Sequence, residues 1–180
     1  MTRLAGTQVL LRPIELGDVD ALVAARAEDA PGSFGPSGEE ARTQLRKLIE
    51  RKPTLEDGGF LSLVVEAGGE VVGDIQARAP KHGFPPGVCE IGISLVSAVR
   101  GKGYGREAVA LFTAHLHEAG WPRVQASTDV ENVAMRRVLE RCGYVFEGVL
   151  RSYTPADDDG ARGDSAMYAS FRTEDAGDLD

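Results

Sequence analysis

The chain has 180 residues, of which 42% are hydrophobic, and its formal net charge is −8 at pH 7. This length predicts a single domain, over residues 1–172, that can bury a substantial core. The acidic balance argues against a general nucleic-acid binder, because binding a phosphate backbone requires a basic surface, but it is compatible with a small anionic ligand in a locally basic pocket.

The first half of the chain predicts a strand, two helices and a hairpin. The strand "TQVLLRP" ends at Pro13, and "ELGDVDALVAARAED" then carries apolar residues at helical spacing. After "APGSFGPSG", a loop rich in glycine, proline and serine, "EEARTQLRKLIERK" predicts a second and more polar helix. The segment "GFLSLVVEAGGEVVGDIQAR" predicts two strands joined at Gly68 and Gly69, which is a hairpin signal.

The second half predicts strands that alternate with helices. In the strand "GVCEIGISLV", Glu90, Gly92 and Ser94 share one face and apolar residues occupy the other. A helix, the strand "RVQAST", the helix "NVAMRRVLERCG" and the strands "YVFEGVLRSY" and "SAMYASF" follow. The order is therefore β-α-α-β-β-β-α-β-α-β-β, an α/β fold with a mixed sheet flanked by helices and one crossover that predicts a parallel strand pair. The acidic segment 173–180 is expected to be a disordered tail.

Composition also bears on location and on metals. No segment approaches ~20 uninterrupted apolar residues, and the start of the chain lacks the apolar core of a signal peptide, so we expect neither a membrane span nor secretion. Cys89 and Cys142 lie among apolar residues, which is typical of reduced thiols in a cytoplasmic protein, although a disulfide or redox pair is the alternative. The histidines and cysteines show no metal-ligand spacing, so no metal is expected.

The stretch "RGKGYG", residues 100–105, stands between a strand and a helix. It can be a tight basic turn or a cradle for a phosphate, because glycines let the free N–H groups of a helix N-terminus approach an anion. It is not a P-loop, since Lys102 is followed by Gly103 and not by serine or threonine. It is not the dinucleotide fingerprint either, since Arg106 stands where the third glycine would be.

Several segments together resemble one family. "RGKGYG" after "EIGISLV", followed by "RVQASTDVENVAMRRVLERCGYVFEG" and preceded by "VLLRPIELGDVDAL", resembles the GNAT N-acetyltransferases, and within them the branch that acetylates ribosomal-protein N-termini. The resemblance runs from about Thr7 to Phe171. It implies a sheet that is splayed at its centre and an acetyl group transferred from acetyl-CoA to a primary amine, either a protein N-terminus or a small molecule, with no metal.

The resemblance also assigns residues to the cofactor. The loop amides of the family hold the pyrophosphate of acetyl-CoA, the preceding strand pairs its backbone with the pantetheine arm, and the asparagine that begins the later helix contacts the cofactor. On this chain the cofactor residues are therefore Ile93, Leu95, Arg100, Gly101, Lys102, Gly103, Tyr104, Gly105, Arg106 and Asn132. Asn132 can equally be a simple helix N-cap.

Glu90 is the candidate catalytic base. The attacking amine must be neutral, and an α-amine with a pKa near ~8 is easier to deprotonate than a lysine near ~10.4. Glu90 shares its strand face with Gly92 and Ser94, which leaves room for a water relay, and many family members use a carboxylate on this strand. The alternative is a buried carboxylate paired to an arginine.

The acid for the leaving thiolate is not assigned by the sequence. Relatives carry serine or tyrosine where this chain has Met135 and Leu139, so water or another tyrosine, Tyr144 or Tyr153, would have to serve. This difference makes a CoA-binding sensor or pseudoenzyme the alternative function, and a binder of another nucleotide a third. The acceptor would be selected by "APGSFGPSG" and "TPADDDGARGD", and an exposed last strand could pair two subunits into a homodimer.

Overall fold

The computed structural model describes residues 2–27, 38–56, 59–79, 84–154, 160 and 162–172. The predicted tail 173–180, most of "APGSFGPSG" and much of "TPADDDGARGD" lie outside the described residues, so the domain boundary at residue 172 stays a prediction. The described strands are β1 (Leu4–Ala5), β2 (Leu10–Pro13), β3 (Phe60–Ala67), β4 (Glu70–Arg78), β5 (Val88–Leu95), β6 (Arg123–Asp129), β7 (Val145–Leu150) and β8 (Ser165–Phe171). The described helices are α1 (Val19–Ala27), α2 (Gly38–Arg51), α3 (Tyr104–Glu118) and α4 (Val133–Arg141).

The strands form one mixed sheet in the order β1-β2-β3-β4-β5-β6-β8-β7. The predicted order of elements is confirmed with one addition, because the two-residue β1 is too short to leave a periodic pattern. The expectation of an exposed last strand is wrong, since β8 lies between β6 and β7 and pairs with both. The edge on this side of the sheet is β7, so β8 gives no support to a homodimer.

The centre of the sheet is the junction of β5 with β6. These two strands are parallel, and they pair only at Val88–Arg123, Cys89–Val124 and Glu90–Gln125. On its other side β5 stays paired with β4 as far as Leu95, opposite Gly73. From residue 91 to residue 95, β5 therefore has a strand partner on one side only. The mixed, centrally splayed sheet confirms the predicted fold class.

The two faces of the sheet bury different residues. The main core lies under α3 and α4, where α3 buries Ala108, Val109, Phe112, Thr113 and Leu116. Ala108, Phe112 and Leu116 are fully buried, and Leu111, which is only partly buried, packs against the same core. The opposite face carries α1 and α2 over a smaller cluster of Val19, Leu22, Leu45 and Val64.

A buried ion pair fixes α1 on that second face. Arg26 donates from Nη2 to Asp74 Oδ2 at 2.7 Å, and the two residues are 8% and 2% exposed. Because each charge is desolvated, removing one partner of such a pair typically costs about 3–5 kcal/mol. The pair therefore holds the end of α1 against the middle of β4, next to the predicted site.

The close approach of β4 to β5 generates a prediction about stability. A β-carbon at Gly73 would stand 1.9 Å from the Ser94 carbonyl oxygen, whereas one at Gly68, in the hairpin turn, would meet nothing within 4 Å. We expect Gly73→Ala to lower the free energy of unfolding by about 3 kcal/mol or more, within the range of the large losses caused by overpacking. Gly68→Ala, at φ +61°, should cost only the ~1–2 kcal/mol of a left-handed alanine.

Urea denaturation of the two variants and the parent chain measures both losses. Equal losses for Gly73→Ala and Gly68→Ala would show that the strands separate at no cost, and would contradict the tight contact between β4 and β5.

Candidate active site

The glycine loop ends in an uncapped helix. The N-cap of α3 is Gly103, in the left-handed conformation at φ +92°, and glycine has no side chain that could cap the first-turn N–H groups. The backbone bond from Glu107 N to the Gly103 oxygen, at 3.1 Å, closes the first turn. The N–H groups of Tyr104, Gly105 and Arg106 therefore stand at the positive end of a helix that contributes roughly half an elementary charge. This arrangement favours an anion.

The basic side chains of the loop differ in what they contact. Lys102 and Arg106 are exposed, so both are accessible to an anion at the helix end. Arg100 instead turns back, and its Nε donates to the Leu95 carbonyl oxygen at 3.0 Å. Two predicted cofactor residues are thus in contact with each other, and this contact ties the loop to the end of β5.

Glu107 anchors the loop from the other side. Its carboxylate accepts from the backbone N–H groups of Thr7 and Gln8, the latter at 3.0 Å. Partial burial acts to raise the pKa of Glu107, but these donated hydrogen bonds outweigh it and hold the pKa below its ordinary value. The same bonds explain why the strand predicted from Thr7 begins only at Leu10, since they hold these residues in the turn before β2.

An open pocket of about 570 Å³ lies beside the start of α3. Its lining includes the turn before β2 and the basic residues Arg106 and Arg141, with Cys142 between the two helices. Glu90 does not line it. The pocket therefore adjoins the predicted anion site and is separate from the proposed position of the reacting amine.

Glu90 lies at the last paired position of the β5–β6 junction and is 6% exposed. Arg78 Nη2 donates to its Oε1 at 2.7 Å, Gln125 Nε2 to its Oε2 at 3.0 Å, and Ser127 Oγ lies 3.5 Å from Oε1. An ionised carboxylate offers about four acceptor positions, so at least one remains for a water or an amine. The arginine-paired carboxylate foreseen as the alternative is present, and it does not exclude a catalytic role.

Ile93 and Leu95 lie on β5 beyond the point where β6 diverges. Ile93 is opposite Ile75 of β4, and within the described residues neither Ile93 nor Leu95 has a strand partner on the β6 side. The divergence therefore leaves an edge at which an extended ligand can pair like an added strand.

Asn132 is the N-cap of α4. Its side chain accepts from Met135 N at 3.1 Å, so the capping role considered for it is confirmed, while a contact with the cofactor stays a prediction. It follows the carboxyl end of β6 by three residues, which places it at the edge of the sheet where the two parallel strands diverge.

Met135 and Leu139, which occupy the α4 positions where relatives carry a proton donor, cannot donate a proton, and the structure also argues against Tyr144 as the acid. Leu139 is fully buried and Met135 partly so. The Tyr144 hydroxyl lies 2.7 Å from Thr113 Oγ1 in the main core, where burial raises its pKa well above the ordinary range. A water-excluded tyrosine with this pKa is a poor acid at neutral pH. Tyr153 is 47% exposed in the segment after β7.

The two thiols are free, as predicted, and Cys89 is fully buried. Burial raises the pKa of Cys89 to about 12, which makes it unreactive. In the described part of the chain, no group of three or more histidine, cysteine, aspartate or glutamate residues is arranged to hold a metal. Among the same residues, no helix has both the length and the apolar character needed to cross a membrane.

Sequence reasoning missed the residues that surround Glu90. Arg78, Gln125 and Ser127 come from two neighbouring strands, and Gln76 shares their face of the sheet. The alternation in "RVQAST" already places Gln125 and Ser127 together, so half of this set could have been found once β6 was paired with β5.

The chain matches the model of one protein family, the acetyltransferase (GNAT) domain, over residues 8–145. It therefore belongs to the GNAT acetyltransferase family, which confirms the family that the motifs resemble.

Solved structures of the same fold cover almost the whole chain. RimJ of Mycobacterium smegmatis, in complex with CoA-disulfide, is 26% identical, with 94% of this chain and 84% of that chain covered at a TM-score of 0.73. The ribosomal-protein-S5-alanine acetyltransferase of Vibrio fischeri is 21% identical, with coverage of 98% and 100% and a TM-score of 0.79. RimL, a ribosomal L7/L12 alpha-N-protein acetyltransferase in complex with coenzyme A, is 21% identical, with coverage of 98% and 100% and a TM-score of 0.77.

The two ends of α3 provide a matched test of the anion site. Gly103 at φ +92° precedes the helix and Gly120 at φ +94° follows it, and a β-carbon at either would meet no atom closer than 3.6 Å. A φ near +90° strains valine at both positions, so Gly103→Val and Gly120→Val should lower the melting temperature to a similar extent. Only Gly103→Val should weaken CoA binding, by at least about tenfold, because its side chain would stand among the loop N–H groups.

Calorimetric titration with CoA measures this difference. A folded Gly103→Val variant with the dissociation constant of the parent chain would contradict the assignment of the loop as the pyrophosphate site.

Proposed function

We propose that the protein is an acetyl-CoA-dependent N-acetyltransferase in which a neutral primary amine attacks the thioester directly. The observation that carries the proposal is the β5–β6 junction. It combines a one-sided strand edge, an uncapped helix N-terminus beyond its end, and a buried carboxylate at its last paired position. A long anionic thioester fits this combination, because its phosphates and its reactive end can be fixed at separate points.

The cofactor would be held by the residues that the loop and the junction bring together. The N–H groups from Gly101 to Arg106 would bind the pyrophosphate, with charge added by Lys102 and Arg106. The backbone of Ile93 and Leu95 would pair with the pantetheine arm. Asn132 would contact the same arm while it caps α4. Arg100, bonded to Leu95, would act mainly by holding the loop in place.

Glu90 would receive the proton of the acceptor amine through a water molecule. Its three donors keep the carboxylate oriented and leave one acceptor position for that water. The family likeness to RimJ and to a ribosomal-protein-alanine acetyltransferase supports a peptide N-terminus as the acceptor. An α-amine also requires a weaker base than a lysine side chain does, because a larger fraction of it is neutral at pH 7.

Water would protonate the departing thiolate, since Met135 and Leu139 carry no acidic proton. Thiols have pKa values near ~8.5, so the thiolate is a stable leaving group near neutral pH. We also propose a cytoplasmic location, which the two free cysteines support. A homodimer stays a prediction that rests on no described contact.

The second candidate function is a CoA-binding protein without efficient turnover. The apolar side chains at Met135 and Leu139 favour it, because relatives place proton donors there. Incubation with acetyl-CoA and a panel of peptides and small amines, with release of free CoA as the readout, separates the two functions. Binding of CoA without turnover of any amine would replace the enzyme with the sensor, and tighter binding of ATP or NAD would contradict both.

One prediction of the proposed function concerns the charge of the glycine loop. If Lys102 and Arg106 assist in binding phosphates, the affinity for CoA should fall as salt rises, because interactions between exposed charges are screened over ~10 Å at 0.1 M. Pantetheine lacks those phosphates and should bind with little dependence on salt. Titrations of both ligands between low and high salt provide the comparison, and equal slopes would count against phosphate binding.

Another prediction of the proposed function concerns the role of Glu90 as the base. Glu90→Gln should lower kcat near neutral pH by about tenfold to a hundredfold, which is at or below the lower end of the ~10²–10⁴-fold range for general bases. Binding of acetyl-CoA should stay nearly unchanged. The defect should shrink above the pKa of the acceptor amine, where the substrate is already neutral. It should also be larger for a lysine-like amine than for a peptide N-terminus. A pH–rate profile with each acceptor measures these effects.

Arg78→Met is the control for a purely structural role of Glu90. It removes the ion pair but keeps the carboxylate. If Glu90 is the base, Arg78→Met should retain most of the activity that Glu90→Gln loses. Equal loss in both variants at all pH values would indicate that the pair only stabilises the fold.

A further inference from the structure

A row of small and polar side chains crosses the sheet beside Glu90. Ser62 of β3 is opposite Gln76 of β4, and Gln76 is opposite Gly92 of β5. The row lies on the same face as Glu90, because Arg78 and Gln76 are two residues apart on β4. Along the strands, the row lies two residues from the Arg78–Glu90 pair on one side. On the other side it lies two residues from Asp74, the partner of Arg26.

Two groups in this row lack hydrogen-bond partners. Gln76 is 6% exposed, and among the described residues nothing donates to its carboxamide or accepts from it. The Ser62 hydroxyl oxygen is buried and also has no partner in the described part of the chain. Leaving a buried polar group unsatisfied costs about 1–3 kcal/mol, which applies here to the Ser62 hydroxyl oxygen, a described side-chain atom that is both buried and unpartnered. The neighbouring Glu90, Gln125 and Asp74 side chains are all bonded, which makes Gln76 an exception on its own face.

The position of Gln76 relates it to the reacting amine. Gln76 and Glu90 are diagonal neighbours on β4 and β5, and positions so related lie about 7–8 Å apart, with their β-carbons somewhat closer. If Glu90 takes the proton of the amine through a water, the atoms two bonds beyond that nitrogen come within reach of the Gln76 carboxamide. In a peptide those atoms belong to the first peptide group.

We propose that Gln76 is a specificity-determining residue that binds the first peptide group of an N-terminal acceptor. A carboxamide carries one acceptor oxygen and a donor NH₂, and a peptide group carries the complementary N–H and C=O. The Ser62 hydroxyl adds a further donor or acceptor beside the pair. The inference rests on the proposed acetyl transfer and extends it, because it selects α-amines of peptides over amines that lack a neighbouring amide.

The test compares two acceptors on the same variants. Gln76→Met keeps the length of the side chain and removes its hydrogen bonds. We expect it to lower kcat/KM about tenfold to a hundredfold for a tetrapeptide amide that begins with alanine, mainly through KM. The kcat/KM for propylamine should change less than twofold. Taking the ratio of variant to parent for each acceptor removes the difference in amine pKa.

The stability of Gln76→Met distinguishes a role in binding from a structural role. A structural role would make the variant less stable than the parent chain. Because Gln76 has no hydrogen-bond partner among the described residues, Gln76→Met should unfold at the same urea concentration as the parent chain or at a higher one. Gln44→Met, at an exposed position of α2, is the matched control and should alter neither property. On the substrate side, replacing the first peptide bond with an ester should weaken turnover by the parent chain and should have no further effect on Gln76→Met.

The outcomes separate this inference from the function on which it depends. Equal losses for the peptide and propylamine, or a clear loss of stability in Gln76→Met, would overturn the role of Gln76 and leave acetyl transfer intact. A parent chain that binds CoA and acetylates neither acceptor would overturn the proposed function, and the inference with it.

Discussion

The short parallel pairing of β5 with β6 is the constraint on which the rest of the site depends. Three paired positions hold the strands together, and the crossover through α3 fixes their relative direction. Beyond Glu90 the strands diverge, which leaves β5 without a described strand partner on the β6 side, and α3 begins after the loop that follows β5. A fully paired sheet would satisfy more backbone groups, but it would close the edge at which an extended ligand can lie between β5 and β6.

The two faces of the sheet meet different physical demands. The face under α3 and α4 carries the main apolar core, and its polar groups are satisfied locally, as in the pair of Thr113 and Tyr144. The other face carries Asp74, Gln76 and Glu90 in the middle of the sheet, where burial of charge is costly unless it is paired. Arg26 and Arg78 supply that pairing. Gln76 has no hydrogen-bond partner among the described residues, and the proposed peptide acceptor would supply one.

The sequence predicted the order of the elements and the glycine loop because each leaves a local signal. Helical spacing, alternation and glycine pairs are short-range patterns, and the motif around "RGKGYG" identified the family. Contacts between strands distant in sequence could not be predicted in the same way. The pairing of Arg78 with Glu90 depends on β4 lying beside β5 in one particular register. The interior position of β8 arises because the last strand inserts between β6 and β7 instead of adding to the edge of the sheet. The hydrogen bond between Tyr144 and Thr113 likewise joins residues that are 31 positions apart in the sequence.

In the proposed acetyl transfer, deprotonation of the acceptor amine is more demanding than protonation of the departing thiolate. A protonated α-amine must lose a proton before it can attack, whereas a thiol with a pKa near ~8.5 is already a reasonable leaving group at neutral pH. A proton donor at Met135 or Leu139 would therefore accelerate a step that is not the most demanding one. Glu90, by contrast, is buried, oriented by three donors and left with an open acceptor position. Apolar residues in α4 are consequently compatible with turnover, provided that the acceptor is an amine of low basicity.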